Sequence, residues 1–314
     1  MENTPTLLAL CIRQDGNELV AAECQNLTGG APAPDGVAAC CTLDHIASAA
    51  YVKTGLRLIA RGPTLPDLVE AVRCADFDAD RFRIEVQRLT DRFGVHKREC
   101  MVALANAIGA NPNLDAPRHR FLALLREDGF YFGEILVESG SSYLRHDEKP
   151  CRTSTSLPSR VARAMVNLVA PPARSILNLC CGSGSILLEA CALGLDVRGI
   201  DWNWKMVEMS RNNLAHFGYA ATVERGDARE ATQIADAVVT DLPYGRYLVL
   251  DEETVKGILA RAALLAPVGV FAAGSDITPW LQEAGYTGVE VYRIRKHAGF
   301  IRYIHRARSC RTSR

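Results

Sequence analysis

A short group of residues suited to chemistry follows an apolar run at 237–240 that predicts a buried strand, and it comprises Asp241, Leu242, Pro243 and Tyr244. The carboxylate of Asp241 and the carbonyl of Leu242 can accept hydrogens from an amino group, and the ring of Tyr244 can stack on a flat heterocycle. Pro243 has a fixed φ and no backbone N–H, so the turn would present its carbonyls rigidly. The group therefore predicts a site for a planar base with an exocyclic amino group.

A glycine turn at 178–185 leads from another predicted strand into a predicted helix. Gly182 and Gly184 would let the backbone approach a ligand closely, and the first turn of the helix would offer free N–H groups. A dinucleotide-binding loop needs a third glycine, and this chain has Leu187 at that position. The turn therefore predicts a ligand site but disfavours a dehydrogenase.

Two further carboxylates follow predicted strands. Asp201 closes the strand after the glycine turn, where it can bind ribose hydroxyls, and Asp227 follows the next strand, where it can meet the edge of an adenine. Each one alone could equally cap a helix or complete a turn. Together with Asp241 they follow successive strands of one sheet, and such sheets bind ligands outside the carboxyl ends of their strands. The set indicates a nucleoside ligand without a pyrophosphate, S-adenosylmethionine.

The composition sets broad limits. The 314 residues have a formal net charge of zero, yet basic residues are concentrated at 81–98 and 291–314. This distribution fits docking to a nucleic acid and a solvated surface about equally well. The eleven cysteines form no Cys-x-x-Cys pair, which predicts reduced thiols in a cytoplasmic protein and no zinc site. No signal-peptide pattern and no apolar run near ~20 residues is present, so we expect no membrane partner.

A polar, proline-punctuated stretch at 146–160 predicts a domain boundary. Before it, an alternating strand at 82–86, a helical stripe at 101–108 and a hairpin over 121–137 predict an α+β region. After it, helices and strands alternate from residue 161 onward. That alternation predicts an α/β domain with a doubly wound, mostly parallel sheet covered by helices on both faces.

The order of these motifs resembles the class I methyltransferases, specifically the amino-methylating group with an Asp/Asn-Pro-Pro-Tyr motif. Within that group the chain resembles, over nearly its whole length, the THUMP-containing tRNA guanine-N2 methyltransferases. A second, spaced similarity lies before the catalytic region and comprises Lys149, Pro150, Ser156, Leu157, Arg160, Ala162, Arg163, Ala164, Val166, Asn167 and Leu168. The resemblance implies a seven-stranded methyltransferase sheet preceded by a ferredoxin-like plus THUMP-like RNA-binding region.

The same resemblance implies four segments: a ferredoxin-like region at 1–65, a THUMP-like domain at 66–147, a linker at 148–158 and a methyltransferase domain at 159–314. In that family the N-terminal domains grip the acceptor arm of tRNA and present one guanine. The implied activity is methyl transfer from S-adenosylmethionine to the N2 amine of a guanosine in tRNA. Some relatives work with a small zinc-containing partner, so an activating subunit of that kind stays open.

The site residues of the family carry over to the motifs given above. The implied catalytic residues are Asp241, Leu242, Pro243 and Tyr244. The implied cofactor-binding residues are Asn178, Cys181, Gly182, Ser183, Gly184, Asp201, Trp202, Asp227, Ala228 and Asp241. The resemblance implies no metal ligand.

The chain departs from the family's pattern at two single positions and in one short segment. Asn178 stands where Asp is usual, Leu242 stands where Pro is usual, and 152–154 lacks the usual aromatic residue and His-Pro pair. Two alternatives therefore stay open. One is an amino-group methyltransferase that acts on ribosomal RNA guanine, DNA adenine or protein glutamine. The other is a non-catalytic RNA-binding protein on a methyltransferase scaffold.

Overall fold

The computed structural model describes residues 6–14, 17–243, 251–297 and 300–310. Its strands in chain order are β1 (Leu7–Cys11), β2 (Val37–Cys40), β3 (Val52–Gly62), β4 (Phe82–Arg88), β5 (His119–Arg126), β6 (Gly129–Glu138), β7 (Ser175–Asn178), β8 (Asp196–Asp201), β9 (Thr222–Arg225), β10 (Ala237–Asp241), β11 (Val268–Ala273), β12 (Tyr286–His297) and β13 (Phe300–Ser309). Its α-helices are α1 (Leu19–Thr28), α2 (Leu65–Cys74), α3 (Lys97–Ile108), α4 (Ser159–Asn167), α5 (Ser185–Ala192), α6 (Trp204–His216), α7 (Glu252–Leu265) and α8 (Thr278–Glu283).

The chain divides into two compact units. The first comprises Met1–Arg13, Thr28–Ala47 and Val52–Ser139, and the second comprises Gln14–Leu27, Ser48–Tyr51 and Gly140–Arg314. The predicted segment boundaries at 65, 147 and 158 stay predictions. The strands of the first two predicted segments, β1 to β3 and β4 to β6, belong to one sheet.

The sheet of the first unit has six strands in the order β2-β1-β3-β6-β5-β4. β4 and β5 are parallel, and the other neighbours are antiparallel. The predicted hairpin is confirmed, because Arg126 pairs with Gly129 across a turn that contains Asp128. Helices α2 and α3 pack with this sheet around a core that includes Phe82 and Phe121.

Helix α2 lay outside the sequence predictions although its start carries a recognisable signal. The hydroxyl of Thr64 caps the helix by accepting a hydrogen bond from the backbone N–H of Asp67, and Pro66 lies in the first turn. That pattern is typical of a helix N-terminus. Helices α1 and α8 and strand β2 were also missed, because each is short and its apolar residues show no clear period.

The sheet of the second unit has seven strands in the order β12-β13-β11-β10-β7-β8-β9. Strands β7 to β11 pair in parallel, whereas β13 pairs antiparallel with β11 and with β12. Helix α5 packs with α4 and α6, and α7 packs with α8. This arrangement confirms the predicted doubly wound, mostly parallel sheet of seven strands. In the described part of the chain, no helix combines the length and the apolar character that a membrane span requires.

Helix α1 clusters with the second unit, and one buried carboxylate shows why. Glu23 is fully buried, and its two carboxylate oxygens accept hydrogen bonds from the backbone N–H groups of Ala50 (2.8 Å) and Tyr51 (2.6 Å). The side-chain amide of Asn167, at the end of α4, donates a further bond of 2.7 Å to the same carboxylate. A buried charge requires such donors, because it has left the water that solvated it.

Candidate active site

Four strands of the second unit end at the same edge of its sheet. β7, β8 and β10 end at Asn178, Asp201 and Asp241, and Asp227 follows β9 by two residues. Because these strands are parallel, their carboxyl ends lie on one side of the sheet. The side chains that follow them are therefore brought together although they are far apart in the sequence.

A cavity of about 690 Å³ opens at this edge, and all of its lining residues belong to the second unit. Of the residues predicted from the sequence, it is lined by Asn178, Cys181, Gly182, Ser183, Asp201, Trp202, Asp227, Ala228, Asp241, Leu242 and Pro243. Gly184 lies in the same turn but does not line the cavity. Tyr244 lies outside the described residues. The structure thus groups the predicted residues, while their roles stay predictions.

Asn178 joins β7 to β10 at the floor of the cavity. Its side-chain oxygen accepts hydrogen bonds from the Thr240 hydroxyl (2.9 Å) and from the backbone N–H of Cys180 (3.2 Å). The Thr240 oxygen in turn accepts a bond of 2.8 Å from the backbone N–H of Leu179. Because Asn178 is almost fully buried, a neutral amide makes these bonds without the desolvation cost of a carboxylate.

The glycine turn and Asp201 hold each other in place. The backbone N–H of Gly182 donates to one carboxylate oxygen of Asp201 (2.8 Å), and the backbone N–H of Asn203 donates to the other (3.0 Å). Gly184 has φ of +83°, and a Cβ atom there would lie 2.5 Å from the Ser210 hydroxyl oxygen, so both the backbone conformation and the contact favour glycine. Burial raises the pKa of Asp201 above its ordinary value, against the effect of the two N–H donors.

Asp227 makes most of its contacts with Arg229. The Nε atom of Arg229 lies 3.0 Å from both carboxylate oxygens of Asp227, and the backbone N–H of Arg229 donates a bond of 2.9 Å that caps a short 3₁₀ turn. The Arg229 guanidinium keeps the pKa of Asp227 below its ordinary value. Arg229 also lines the cavity, and sequence reasoning did not include it.

The turn after β10 is anchored through Leu242. Its backbone N–H donates a hydrogen bond of 3.0 Å to the carbonyl of Ala272 on β11, and its side chain is buried in the core of the second unit. Asp241 and Pro243, on either side of it, both line the cavity. A leucine at this position therefore contributes apolar packing beneath the turn.

The two thiols in the glycine turn are poorly suited to nucleophilic chemistry. Burial raises the pKa of Cys181 to about 12 and also raises the pKa of Cys180 well above its ordinary value. The nearby Asp201 carboxylate raises both pKa values further. Because a thiolate is the reactive form, we interpret both residues as packing groups in the turn.

Several cavity residues were missed by sequence reasoning. A segment at 153–157 lines the cavity and is tied to the glycine turn by a bond of 2.8 Å between the Ser156 and Ser183 hydroxyls. Helix α7 contributes Thr254 and Ile258, and β13 contributes Phe300 and Arg302. The family resemblance includes Ser156 and Leu157 but assigns them no role in the site. Local sequence patterns carry no signal for the residues of α7 and β13, because only the chain path places them beside the predicted ones.

Comparison with known proteins supplies an independent line of evidence. Residues 146–264 match the UPF0020 family, described as the RMKL-like methyltransferase domain. This range of the second unit is thus similar to an RMKL-like methyltransferase domain. The matched range includes the glycine turn, Asp201, Asp227 and Asp241, and of the residues that line the cavity only Phe300 and Arg302 lie outside it.

Curated relatives match part of this chain in sequence. A tRNA (guanine(10)-N2)-dimethyltransferase of Methanothermobacter thermautotrophicus is 30% identical over 195 residues, which is 59% of this chain and 58% of the relative. The Pyrococcus abyssi protein of the same name is 31% identical over 175 residues, which is 51% of this chain and 52% of the relative. The chain thus spans little more than half the length of these relatives. They confirm the resemblance to the tRNA guanine-N2 methyltransferase family.

Solved structures confirm the fold. TrmN from Thermus thermophilus is 18% identical with a TM-score of 0.52, and the match covers 97% of this chain and 99% of that one. SMU.472, described as a candidate methyltransferase and solved in complex with SAH, is 14% identical with a TM-score of 0.50 over 98% of this chain and 99% of that one. At these identities the similarity shows the fold of the methyltransferase domain, while the THUMP-like assignment stays a prediction.

Proposed function

We propose that the protein transfers a methyl group from S-adenosylmethionine to the exocyclic N2 amine of a guanosine in tRNA. One observation supports this proposal above the others. A single cavity is lined by Gly182, Asp201 and Asp227 on one side and by Asp241 and Pro243 on the other. The methyl donor and the acceptor base can therefore meet in the same space. The names of the sequence relatives supply the substrate class.

The part of the cavity lined by Gly182, Asp201 and Asp227 is called the donor half, because the methyl donor would bind there. The chemistry of its side chains suits a nucleoside. Asp201 presents a buried carboxylate, fixed by two backbone N–H donors, that can accept hydrogen bonds from ribose hydroxyls. Trp202 and Met206 also line the cavity, and the exposed side chain of Trp202 offers a ring face for a purine. When bound, S-adenosylmethionine supplies a methyl group on a positively charged sulfur.

The part of the cavity lined by Asp241 and Pro243 is called the acceptor half, because the methylated base would bind there. It suits an aromatic amine. The N2 lone pair of guanine is delocalised into the ring, so the amine is a weak nucleophile. The carboxylate of Asp241 and the carbonyl of Leu242 can hold the two amine hydrogens and turn the lone pair toward the methyl carbon. Alignment of this kind lowers a barrier by up to ~7–11 kcal/mol. Asp241 also stabilises the positive charge that develops on nitrogen and can accept the departing proton.

The target base must leave its stack to reach Asp241. Turning a base out of a helix costs a few kcal/mol. Stacking on an aromatic side chain returns ~1–3 kcal/mol, and we assign that contact to Tyr244, which lies outside the described residues. The roles of Asp241, Leu242 and Tyr244 are part of this proposal.

The first unit is proposed to bind tRNA. The six basic residues from Arg81 to Arg98 are all exposed. Four of them lie on or near β4, an edge strand of the six-stranded sheet, and the other two begin α3. Several are paired with neighbouring carboxylates, as Arg88 is with Asp91 at 2.8 Å. Phosphate contacts position a nucleic acid without reading its bases, which matches this role. A cytoplasmic location and a zinc-containing activating subunit both stay predictions.

One incubation tests the proposed function. Purified full-length protein is mixed with methyl-labelled S-adenosylmethionine and unmodified tRNA, and the RNA is digested and its nucleosides are identified by mass spectrometry. Labelled N2-methylguanosine or N2-dimethylguanosine is the expected product. Label confined to adenosine, DNA or protein would overturn the proposal. Donor binding by calorimetry without transfer to any substrate would instead favour the non-catalytic alternative.

A further inference from the structure

Arg302 is a buried cation at the edge of the cavity. Its side chain is 3% exposed and lines the cavity together with Asp241 and Pro243. It lies on β13, one residue before Tyr303, which pairs with Ala273 at the carboxyl end of β11. Arg302 is therefore level with the carboxyl ends of the parallel strands, where the ligands of such sheets bind.

The strand order places Arg302 on the acceptor side of Asp241. From β13 the sheet continues through β11 to β10, which carries Asp241, and then to β7, which precedes the glycine turn. With neighbouring strands about 4.8 Å apart, the backbone of Arg302 is about 10 Å from β10 and about 14 Å from β7. Asp201, the proposed ribose ligand, lies one strand farther away, on β8. The strand order thus places the backbone of Arg302 nearer to Asp241 than to Asp201.

The chemistry of the side chain restricts what it can bind there. A guanidinium stays charged at every physiological pH, carries five N–H donors in a rigid fork and accepts no hydrogen bonds. Guanine presents two acceptors, O6 and N7, on the edge away from N2, and Arg is the usual partner of that pair. Adenine presents an amino donor at the position of O6, which a guanidinium cannot accept.

We propose that Arg302 determines specificity by donating hydrogen bonds to the O6 and N7 edge of the target guanine, while its N2 amine is held at Asp241. This inference rests on the proposed function and adds the residue that distinguishes guanine from a purine with an amino group at C6. Phe300 lies two residues earlier on the same face of β13 and also lines the cavity. Two residues of β13 therefore line the cavity together with Asp241 and Pro243.

The test replaces one oxygen of the substrate. After the methylated position has been located by mass spectrometry, tRNA is assembled with guanosine or with 2,6-diaminopurine at that position alone. Both bases carry the N2 amine, but 2,6-diaminopurine has an amino group in place of O6. The wild-type protein should show a preference for guanosine of about 10-fold or more in kcat/KM. Arg302→Gln, whose amide can both donate and accept, should reduce that preference to below about threefold.

Controls separate specificity from folding and from donor binding. Arg308→Gln changes an exposed residue of the same strand and should leave the preference unchanged. Arg302→Gln should bind S-adenosylhomocysteine with wild-type affinity in calorimetry, because Arg302 lies away from the donor half. If Arg302→Gln does not fold, the wild-type preference still tests the inference.

The outcomes distinguish the inference from the function on which it rests. Equal use of the two bases by the wild-type protein would overturn the role of Arg302 and leave guanine methylation intact. An equal loss of transfer to both bases in Arg302→Gln would indicate a phosphate or structural contact, and it would also overturn the inference. Absence of any N2 methylation by the wild-type protein would overturn the proposed function itself.

Discussion

The backbone N–H of Gly182 donates a 2.8 Å hydrogen bond to the carboxylate of Asp201, so the turn after β7 and the end of β8 are held together. One oxygen of that carboxylate is fixed by Gly182 and the other by Asn203. Its remaining lone pairs are available at the cavity surface. The position of Asp201 is thus set by the protein before any ligand binds, which reduces the entropic cost of binding.

Substitution of Asp201 should weaken donor binding. Asp201→Ala removes a fixed, charged hydrogen-bond acceptor. Because hydrogen bonds to charged groups contribute strongly to the free energy of binding, we expect the affinity for S-adenosylhomocysteine to fall about 10- to 100-fold. Isothermal titration calorimetry measures the change. Asp196→Ala, at the exposed opposite end of β8, is the matched control and should retain wild-type affinity. Equal affinities for the two variants would show that Asp201 does not contact the donor.

Substitution of Asp241 should separate chemistry from donor binding. Asp241→Ala removes the proposed amine acceptor and proton acceptor, and we expect kcat for methyl transfer to fall by about 100-fold or more. Affinity for S-adenosylhomocysteine should change by less than about threefold, because the Asp201 contacts remain. Asp241→Asn keeps the size and one acceptor and should lose less activity. Loss of donor binding in Asp241→Ala would mean that its main role is to hold the cofactor.

The two glycine positions at 184 and 194 offer a matched test of steric fit. Both have positive φ, +83° and +73°, but only a Cβ at Gly184 would collide with another atom, the Ser210 hydroxyl oxygen at 2.5 Å. Gly194→Ala should cost only its backbone strain, about 1–2 kcal/mol of the free energy of unfolding. Gly184→Ala should cost more than that, and Ser210→Ala in the same chain should recover part of the difference. Urea denaturation of the three variants measures these values, and equal losses for the two glycines would contradict the prediction.

Asp236 should make stability depend on pH. Its exposed carboxylate accepts hydrogen bonds from the backbone N–H groups of Arg174 (2.8 Å) and Ser175 (2.9 Å), which lower its pKa. A carboxyl with a lowered pKa in the folded state stabilises it above the unfolded pKa, near 3.8, and loses that contribution as pH falls through the folded value. With allowance for solvent screening, Asp236→Ala should cost about 1 kcal/mol at pH 7.

Denaturation curves at several pH values test this dependence. The difference between wild type and Asp236→Ala should shrink from pH 7 toward pH 3, because protonation removes the charge from the wild-type carboxyl as well. Asp236→Asn, which keeps an acceptor oxygen, should lie between the two at pH 7. A difference that stays constant or grows toward low pH would mean that the charge of Asp236 does not contribute to stability.

The sequence by itself determined the mostly parallel sheet and the grouping of the predicted carboxylates at its carboxyl edge. Apolar runs of strand length, helical stripes and the turn residues at Gly182 and Gly184 are local patterns, and they sufficed to predict β7 to β11 and the helices between them. Each polar residue at the end of a parallel strand could be placed on a common edge by topology alone, and the cavity contains Asp201, Asp227 and Asp241 together. Helices α1 and α8 and strand β2 were missed, because their apolar residues show no clear period.

The tertiary structure alone decided which other residues complete the cavity. Arg302 reaches it because β13 runs antiparallel to β11 and returns its first residues to the carboxyl edge. Likewise, Glu23 assigns α1 to the second unit by accepting bonds from two backbone N–H groups and the Asn167 amide. Such contacts join residues far apart in the chain, and the side-chain periodicity that predicts a helix or strand carries no information about them.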